Sequence, residues 1–192
     1  MNNTLKKNSI VISGWPAVGK STIAAELAKE FGFKAYNGGD ILKMLASDQG
    51  YLISRNDWWD TLEGKKFMME RRKNVSYDRQ VDQKLLDIVK KGKAIITSYT
   101  LPWLVQGPIC FWLKGSQINR AKRMANRDKL SVSEAQKIIK VRDKENMNLY
   151  RKLYGFKFGE NLSVFDFSLN TDLIDLDSLV EISKGIIRHI VY

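Results

Sequence analysis

One segment near the amino terminus combines two glycines, a lysine and a hydroxyl side chain at a fixed spacing. Residues 14–21 read Gly-Trp-Pro-Ala-Val-Gly-Lys-Ser, the full G-x-x-x-x-G-K-[ST] phosphate-loop pattern. Its glycines permit backbone conformations in which successive N–H groups turn inward around phosphate oxygens. Lys20 would reach the β- and γ-phosphates of ATP or GTP, and Ser21 would hold the accompanying Mg²⁺. The residues expected to form this site are Gly14, Trp15, Pro16, Ala17, Val18, Gly19, Lys20, Ser21 and Thr22.

The sequence on either side supplies the strand and the helix that a phosphate loop requires. Residues 9–13 form an apolar, β-branched run that predicts a buried strand. Ile23, Leu27 and Phe31 then follow at helical spacing until Gly32 stops the pattern. The amino terminus of this helix favours the same anion that the loop would bind.

Short apolar runs alternate with longer helical patterns along the rest of the chain. This alternation predicts an α/β fold, with a parallel sheet covered by helices on both faces. We expect one domain over residues 1–192, in which two charged helical insertions extend a βα core. The expected strands are 34–36, 94–97, 109–114 and 164–169. One expected helix begins at Asp40, and the others are 116–127, 131–154 and 177–189. The two insertions are 51–92 and 120–155.

The composition restricts the classes of partner. The net charge of +11 fits an anionic partner, either small phosphates or nucleic acid, although a basic solvated surface is an equal alternative. Cys110, the single cysteine, lies in an apolar run, which predicts a buried thiol and excludes a disulfide within the chain. No apolar run reaches the length of a membrane span and the start lacks a secretory pattern, so we expect a cytoplasmic protein without a membrane partner.

Several segments together resemble cytidylate kinases, in particular the short archaeal-type members of the nucleoside monophosphate kinases. The resemblance covers nearly the whole chain. It implies a three-layer P-loop NTPase fold with a five-stranded parallel sheet, an acceptor-binding insertion at 51–92 and a lid at 120–155. It also implies an enzyme that uses ATP and Mg²⁺ to phosphorylate a nucleoside monophosphate, with CMP or dCMP as the expected acceptor. We expect this enzyme to be a monomer. The segments that carry it are 14–33, 38–43, 77–82, 111–114 and 120–127, together with Arg142, Tyr150 and Tyr154.

Arginines of the second insertion could neutralise the charge that develops during phosphoryl transfer. Arg120, Arg123 and Arg127 would share one helix face at i, i+3 and i+7. The resemblance implies that these arginines and Arg142 close over the phosphates, with Arg127 against the adenine. Arg123, Arg142 and Lys20 are therefore expected to be catalytic, whereas the alternative is a solvated basic helix face.

Asp40 follows two glycines after the second strand, at the sheet edge where ligands of open α/β sheets bind. Its carboxylate could accept hydrogen bonds from Mg²⁺-bound water, as a catalytic and metal-site residue, or it could be the N-cap of a helix. Lys43, one turn later, would meet the acceptor phosphate. For residues 170–172 the resemblance implies a backbone contact to adenine, and a helix-capping turn is the alternative.

Two carboxylates of the first insertion are candidates for reading the acceptor base. Asp78 and Asp82 share a helix face at i, i+4, and a carboxylate can accept a hydrogen bond from the exocyclic amine of cytosine. The alternative is a pair of surface charges with Arg79 and Lys84 nearby. The adjacent tryptophans 58 and 59 are expected to pack in the interior rather than to form an acceptor-site wall.

The exit of the third strand departs from the family pattern. Residues 97–103 contain neither the arginine nor the carboxylate that monophosphate kinases usually carry there, and Lys43 replaces a more usual arginine without its bidentate fork. Three hypotheses therefore stay open: a cytidylate kinase with a changed acceptor site, a kinase for another small acceptor, and a P-loop ATPase or nucleotide-responsive protein with nucleic acid as a possible partner. Tyr99 is the expected acceptor contact, joined by Thr97 and Ser98 if the acceptor is a neutral hydroxyl compound.

Overall fold

The strands of the computed structural model, which describes residues 9–53, 58 and 61–191, form one parallel sheet in the order β2-β3-β1-β4-β5. The central strand pairs with β3 on one side and with β4 on the other. All of its side chains are buried, as expected for a parallel sheet covered on both faces. The strands are β1 (Ser9–Gly14), β2 (Lys34–Asn37), β3 (Ala94–Thr97), β4 (Ile109–Lys114) and β5 (Phe167–Asn170).

Helices cover both faces of the sheet. Successive side chains of β1 point to opposite faces and so pack against both helix layers. Val11 packs with the helices of the first insertion, whereas Ile10 and Ile12 pack with the first and last helices of the chain. The predicted three-layer fold is therefore confirmed. The helices are α1 (Lys20–Phe31), α2 (Gly38–Asp48), α3 (Leu62–Lys73), α4 (Ser76–Lys91), the single turn α5 (Leu101–Leu104), α6 (Gln117–Asp128), α7 (Val132–Tyr154) and α8 (Leu176–Val191).

The helices α6 and α7 form an antiparallel pair, which we call the lid hairpin. Its own small apolar core includes Met124 and Ile139, and Ala17 of the phosphate loop packs against that core. A capping box between Ser131 and Glu134 fixes the start of α7. The hairpin is therefore joined to the loop through side-chain packing as well as through the chain.

Two predicted boundaries were wrong. The fifth strand begins at Phe167 instead of 164, because the preceding residues turn, and the backbone and carboxylate of Asp166 both pair with the backbone of Cys110. The second helix begins at Gly38, two residues before Asp40, because Asn37 caps it.

Two expectations about apolar side chains are confirmed. Cys110 is buried. Trp58 is fully buried, and its indole N–H donates to the carbonyl of Leu52 at 2.8 Å. Residue 59 lies outside the described residues. Within the described part of the chain, no helix is long and apolar enough to cross a membrane.

Candidate active site

The carboxyl ends of the strands meet at one edge of the sheet, and the segments singled out above follow these ends. The phosphate loop leaves β1, Asp40 follows β2, and Tyr99 follows β3. The lid hairpin begins after β4, and the turn at 170–172 closes β5. This edge is where open α/β sheets bind their ligands, so the fold brings the candidate residues to one place.

The phosphate loop has the backbone that an anion cradle needs. Gly14 and Gly19 have φ values of 141° and 95°, and Ala17 also has a positive φ of 62°. A Cβ on Gly14 would lie 2.4 Å from the carbonyl oxygen of Leu113, so no other residue fits there. The first turn of α1 has neither a side-chain cap nor an acidic residue, which leaves its N–H groups available to phosphate oxygens.

Lys20 lies inside the loop that it is expected to serve. Its Nζ donates to the carbonyl oxygens of Gly14 and Trp15, both at 2.8 Å, and lies 4.6 Å from the centre of the Tyr99 ring. Burial, assisted by the charges of Arg120 and Arg142, lowers the pKa of Lys20 to about 7. Burial also raises the pKa of Tyr99, which keeps this phenol neutral. An arriving polyphosphate would relieve the repulsion among these cations.

Trp15 anchors the loop to an aromatic cluster beneath it. Its ring meets Phe158 edge to face with centroids 4.8 Å apart, and it meets Trp112 in the same way at 6.4 Å. Gly159 lies directly against the indole, since a Cβ at this glycine would be 2.6 Å from Trp15 Cζ2. The segment that follows the lid hairpin therefore supports the phosphate loop.

The predicted lid arginines do not act as one exposed basic face. Arg120 is almost fully buried and forms a bidentate pair with Asp143 of α7, at 2.7 and 2.9 Å. Arg123 donates to the side chain and the carbonyl of Thr171, and Arg127 pairs with Asp128 next to it. The alternative of a solvated face is therefore wrong for Arg120, and its predicted contact with ATP would require it to leave these partners.

Arg142 remains as an exposed cation beside the loop. It has no hydrogen-bond or ion-pair partner among the described residues, and its charge acts on Lys20, Tyr99 and Asp128. A guanidinium in this position is available to a phosphoryl group held by the loop.

The two candidate carboxylates of α4 are buried, so the surface-charge alternative is wrong. Asp78 pairs with Arg71 of α3 at 2.6 Å, and the buried Nε of Arg71 has no hydrogen-bond partner among the described residues. Asp82 accepts from the hydroxyls of Thr100 at 2.5 Å and Tyr154 at 2.6 Å, while burial raises its pKa. The apolar stripe of α4, with Tyr77, Val81 and Leu85, could have placed both carboxylates on the buried face. No sequence signal pointed to Arg71, Thr100 or Tyr154 as their partners.

The exit of β3 receives its carboxylate from another element. Residues 97–103 contain no acidic side chain, but Asp82 of α4 accepts a hydrogen bond from Thr100 and so places a carboxylate beside this segment. Ser98 is buried, and its hydroxyl accepts from the N–H groups of Thr100 and Leu101. Thr97 is also buried, which leaves Tyr99 and Trp103 as the partly exposed side chains of the exit. These contacts give no support to Thr97 and Ser98 as acceptor contacts.

Asp40 and the β5 turn have roles that differ from the capping alternatives. Asp40 is not an N-cap: its N–H donates to Asn37 Oδ1 at 2.9 Å, and its exposed carboxylate accepts from the Asn37 amide. The turn at 170–172 does not cap α8, because Asp175 does so through the N–H of Ser178. Lys43 lies one turn into α2 and is partly buried.

A candidate Mg²⁺ site can be tested against this geometry. Ser21 is exposed in the first turn of α1, and Asp40 keeps an exposed carboxylate after β2. Within the described ranges no group of three or more His, Cys, Asp or Glu side chains could hold a metal alone. One hydroxyl and one carboxylate are a donor set that fits Mg²⁺ bound together with nucleotide phosphates, since that ion then needs only one or two protein ligands.

A phosphate loop after the central strand, a cationic lid hairpin and a parallel sheet of order 2-3-1-4-5 define a P-loop kinase. Comparison with known proteins identifies the particular family. The chain belongs to the cytidylate kinase-like family, whose model matches residues 9–173. It is 31% identical over 176 residues to a protein of Pyrobaculum islandicum named cytidylate kinase. These 176 residues are 91% of this chain and 89% of the other. A cytidylate kinase of Thermococcus kodakarensis is 31% identical over 182 residues, covering 94% and 88% of the two chains.

Solved structures support the fold. An uncharacterized protein from Eubacterium ventriosum superposes with a TM-score of 0.68 at 16% identity, over 96% of this chain and 99% of that one. Shikimate kinase from Acinetobacter baumannii in complex with shikimate gives a TM-score of 0.57 at 15% identity, over 96% and 93%. At these identities the likeness concerns the fold alone.

Proposed function

We propose that the protein transfers the γ-phosphoryl group of ATP to CMP or dCMP, which yields ADP and CDP or dCDP. A phosphate oxygen of the acceptor attacks the γ-phosphorus, and the bond to the β–γ bridging oxygen breaks as ADP leaves. The observation that carries the choice of acceptor is the partly buried Arg71–Asp78 pair, in which a donor and an acceptor lie side by side and each can form further hydrogen bonds. Membership of the cytidylate kinase-like family supports the same choice.

The paired side chains match the hydrogen-bonding edge of cytosine. Asp78 uses one carboxylate oxygen for Arg71, so its other oxygen can accept from the exocyclic amine. The unpartnered Nε of Arg71 can donate to the ring nitrogen or carbonyl oxygen on the same edge. Uracil would place a carbonyl oxygen against Asp78, which costs a hydrogen bond and adds repulsion between acceptors.

Asp82 serves this site through other residues. Both of its oxygens already accept hydrogen bonds, so we assign it to hold Thr100 at the β3 exit and Tyr154 at the end of the lid hairpin. The proposal thus keeps Asp78 as the base-reading carboxylate and replaces the direct role predicted for Asp82.

On the donor side, the chain's own groups bind and orient the triphosphate. The N–H groups of the loop and of the first turn of α1 would hold the β- and γ-phosphates, with Lys20 Nζ moving from loop carbonyls to phosphate oxygens. Arg142 would meet the transferring phosphoryl group, and Lys43 the acceptor phosphate. Ser21 and Asp40 would hold Mg²⁺, which when bound neutralises charge on the phosphate oxygens.

The remaining predicted roles belong to the same proposal. Arg123 fixes the β5 turn beside the adenine site, while Arg127 is exposed and free to lie over the base once it leaves Asp128. We further propose that the protein acts as a monomer in the cytoplasm, where ATP and nucleoside monophosphates are supplied. Nucleic acid is not required by any contact in this proposal.

Product analysis tests the proposal directly. The protein is incubated with Mg-ATP and, separately, CMP, dCMP, UMP, AMP and GMP, and each diphosphate is quantified. CDP or dCDP should form at least about a hundred times faster than UDP, as expected when one buried polar pair reads the base. Lys20→Ala, which keeps the loop backbone but removes the ammonium, is the matched control and should form no diphosphate.

Two results would contradict the proposal. Equal rates of diphosphate formation with CMP and UMP would show that Asp78 does not recognise the base. Formation of no diphosphate with any acceptor, while ATP still binds, would favour the alternatives of another small acceptor or a nucleotide-responsive protein.

A further inference from the structure

A buried ion pair joins the two helices of the lid hairpin directly beside the phosphate loop. Arg120 Nη1 and Nη2 donate to the two carboxylate oxygens of Asp143 at 2.9 and 2.7 Å. The side chains are only 5% and 15% exposed. A bidentate pair of this kind fixes the relative orientation of its partners as well as their distance.

The other donors of Arg120 reach the phosphate loop and the end of β4. Its Nε donates to the carbonyl of Gly115 at 3.2 Å, and Nη1 also contacts the carbonyl of Pro16 at 3.3 Å. The guanidinium lies 5.7 Å from the ring centre of Trp15. The buried side chain of Arg120, a residue of α6, therefore connects this helix to the phosphate loop. Through Asp143 it also connects α6 to α7.

Asp143 directly follows Arg142, so a contact that fixes one residue directs the other. Successive residues of an α-helix point about 100° apart, because 3.6 residues make one turn. With the carboxylate of Asp143 held by Arg120, the rotation of α7 is set, and the charge of the neighbouring Arg142 adds to the burial that lowers the pKa of Lys20 and opposes the burial that raises the pKa of Tyr99. We propose, on the basis of the function proposed above, that Asp143 is a positioning residue which acts through Arg120 to hold Arg142 beside the transferring phosphoryl group.

The packing of the hairpin gives a reason to separate this role from stability. Met124, Ala135 and Ile139 already provide an apolar core between α6 and α7. Replacement of a buried ion pair by apolar groups of similar size is often neutral or stabilising, although removal of one partner alone is destabilising. The Arg120–Asp143 pair therefore fixes the orientation of α7 against α6 more closely than the small apolar contacts of the hairpin would do alone.

A double-mutant cycle on the full chain tests the inference. Turnover and KM for Mg-ATP and CMP are measured for the wild type, Asp143→Asn, Arg142→Ala and the double variant. Asp143→Asn should lower kcat at least about tenfold while KM for ATP changes less than about threefold, as expected when a group acting at the transition state is misplaced. The double variant should be no slower than Arg142→Ala alone, because Asp143 acts through Arg142.

The controls separate positioning from folding. Glu145→Gln removes the same charge from an exposed position of α7 and should leave kcat unchanged. Asp143→Glu retains the carboxylate and should recover part of the lost turnover. If Asp143→Asn does not fold, Arg120→Lys enters the cycle instead, since lysine keeps the charge but lacks the fork.

Three results would overturn the inference. Turnover of Asp143→Asn equal to the wild type would exclude the role, and losses that multiply in the double variant would show that Asp143 and Arg142 act independently. If the wild-type protein forms no CDP, both the proposed function and this inference are wrong. If the wild type is active and the variants are unaffected, only this inference is wrong.

Discussion

The protonation of Lys20 should control ATP binding near neutral pH. Burial and the neighbouring arginines lower the pKa of Lys20 from 10.5 to about 7 in the protein without nucleotide. A bound triphosphate favours the ammonium form, so ATP should restore a high pKa and take up a proton on binding. About half of the molecules hold a neutral Lys20 at pH 7 and about nine tenths at pH 8, which predicts uptake of about 0.5 and 0.9 proton per ATP. The apparent Kd should rise about tenfold per pH unit above this range.

Isothermal titration calorimetry measures this uptake when Mg-ATP is titrated in two buffers of different ionisation enthalpy at each pH. Lys20→Arg is the matched control, since its guanidinium stays charged throughout and its uptake should vanish. ATP binding by the wild type without proton uptake at pH 8, and with a Kd that does not change with pH, would show that Lys20 is already protonated before ATP binds.

Three further predictions concern the acceptor side and the loop support. Asp78→Asn should reduce kcat/KM for CMP about a hundredfold or more and narrow the preference over UMP, measured by competition between the two acceptors. Asp82→Ala and Tyr154→Phe should each lower the free energy of unfolding by about 1–3 kcal/mol. In urea denaturation the double variant should lose less than the sum of the two single losses, because both substitutions remove the Tyr154–Asp82 hydrogen bond. Gly159→Ala should weaken ATP binding and lower the melting temperature, because the added Cβ would contact Trp15 and the residue has a φ of 82°. Unchanged ATP binding in calorimetry would show that the aromatic cluster does not support the phosphate loop.

The sequence was most informative where function and structure are both local. The phosphate loop is one contiguous segment, and its strand and helix follow from patterns within a few residues of it. The central strands β1, β3 and β4 were recognised because buried parallel strands are short apolar runs. Their order in the sheet, and the supply of a carboxylate to the β3 exit by α4, depend on contacts between distant segments.

The acceptor side shows why the rest could not be predicted. Asp78 and Asp82 were correctly placed on one helix face, but their different partners decide their roles. Tyr154 is 72 residues from Asp82 in sequence, and only tertiary packing brings them together. In the same way, the spacing of the lid arginines predicted a shared face, whereas burial against Asp143 distinguishes Arg120 from its neighbours.

The fate of the γ-phosphoryl group in one reaction tests the proposed phosphoryl transfer most directly. The wild-type protein is incubated with CMP and Mg-ATP labelled at the γ-phosphate, and labelled CDP, ADP and inorganic phosphate are quantified over time. If the protein phosphorylates CMP, labelled CDP and unlabelled ADP should accumulate in equal amounts with little inorganic phosphate, since the bound acceptor receives the phosphoryl group in place of water. Accumulation of ADP and labelled inorganic phosphate without CDP would contradict the proposed transfer and identify an ATPase.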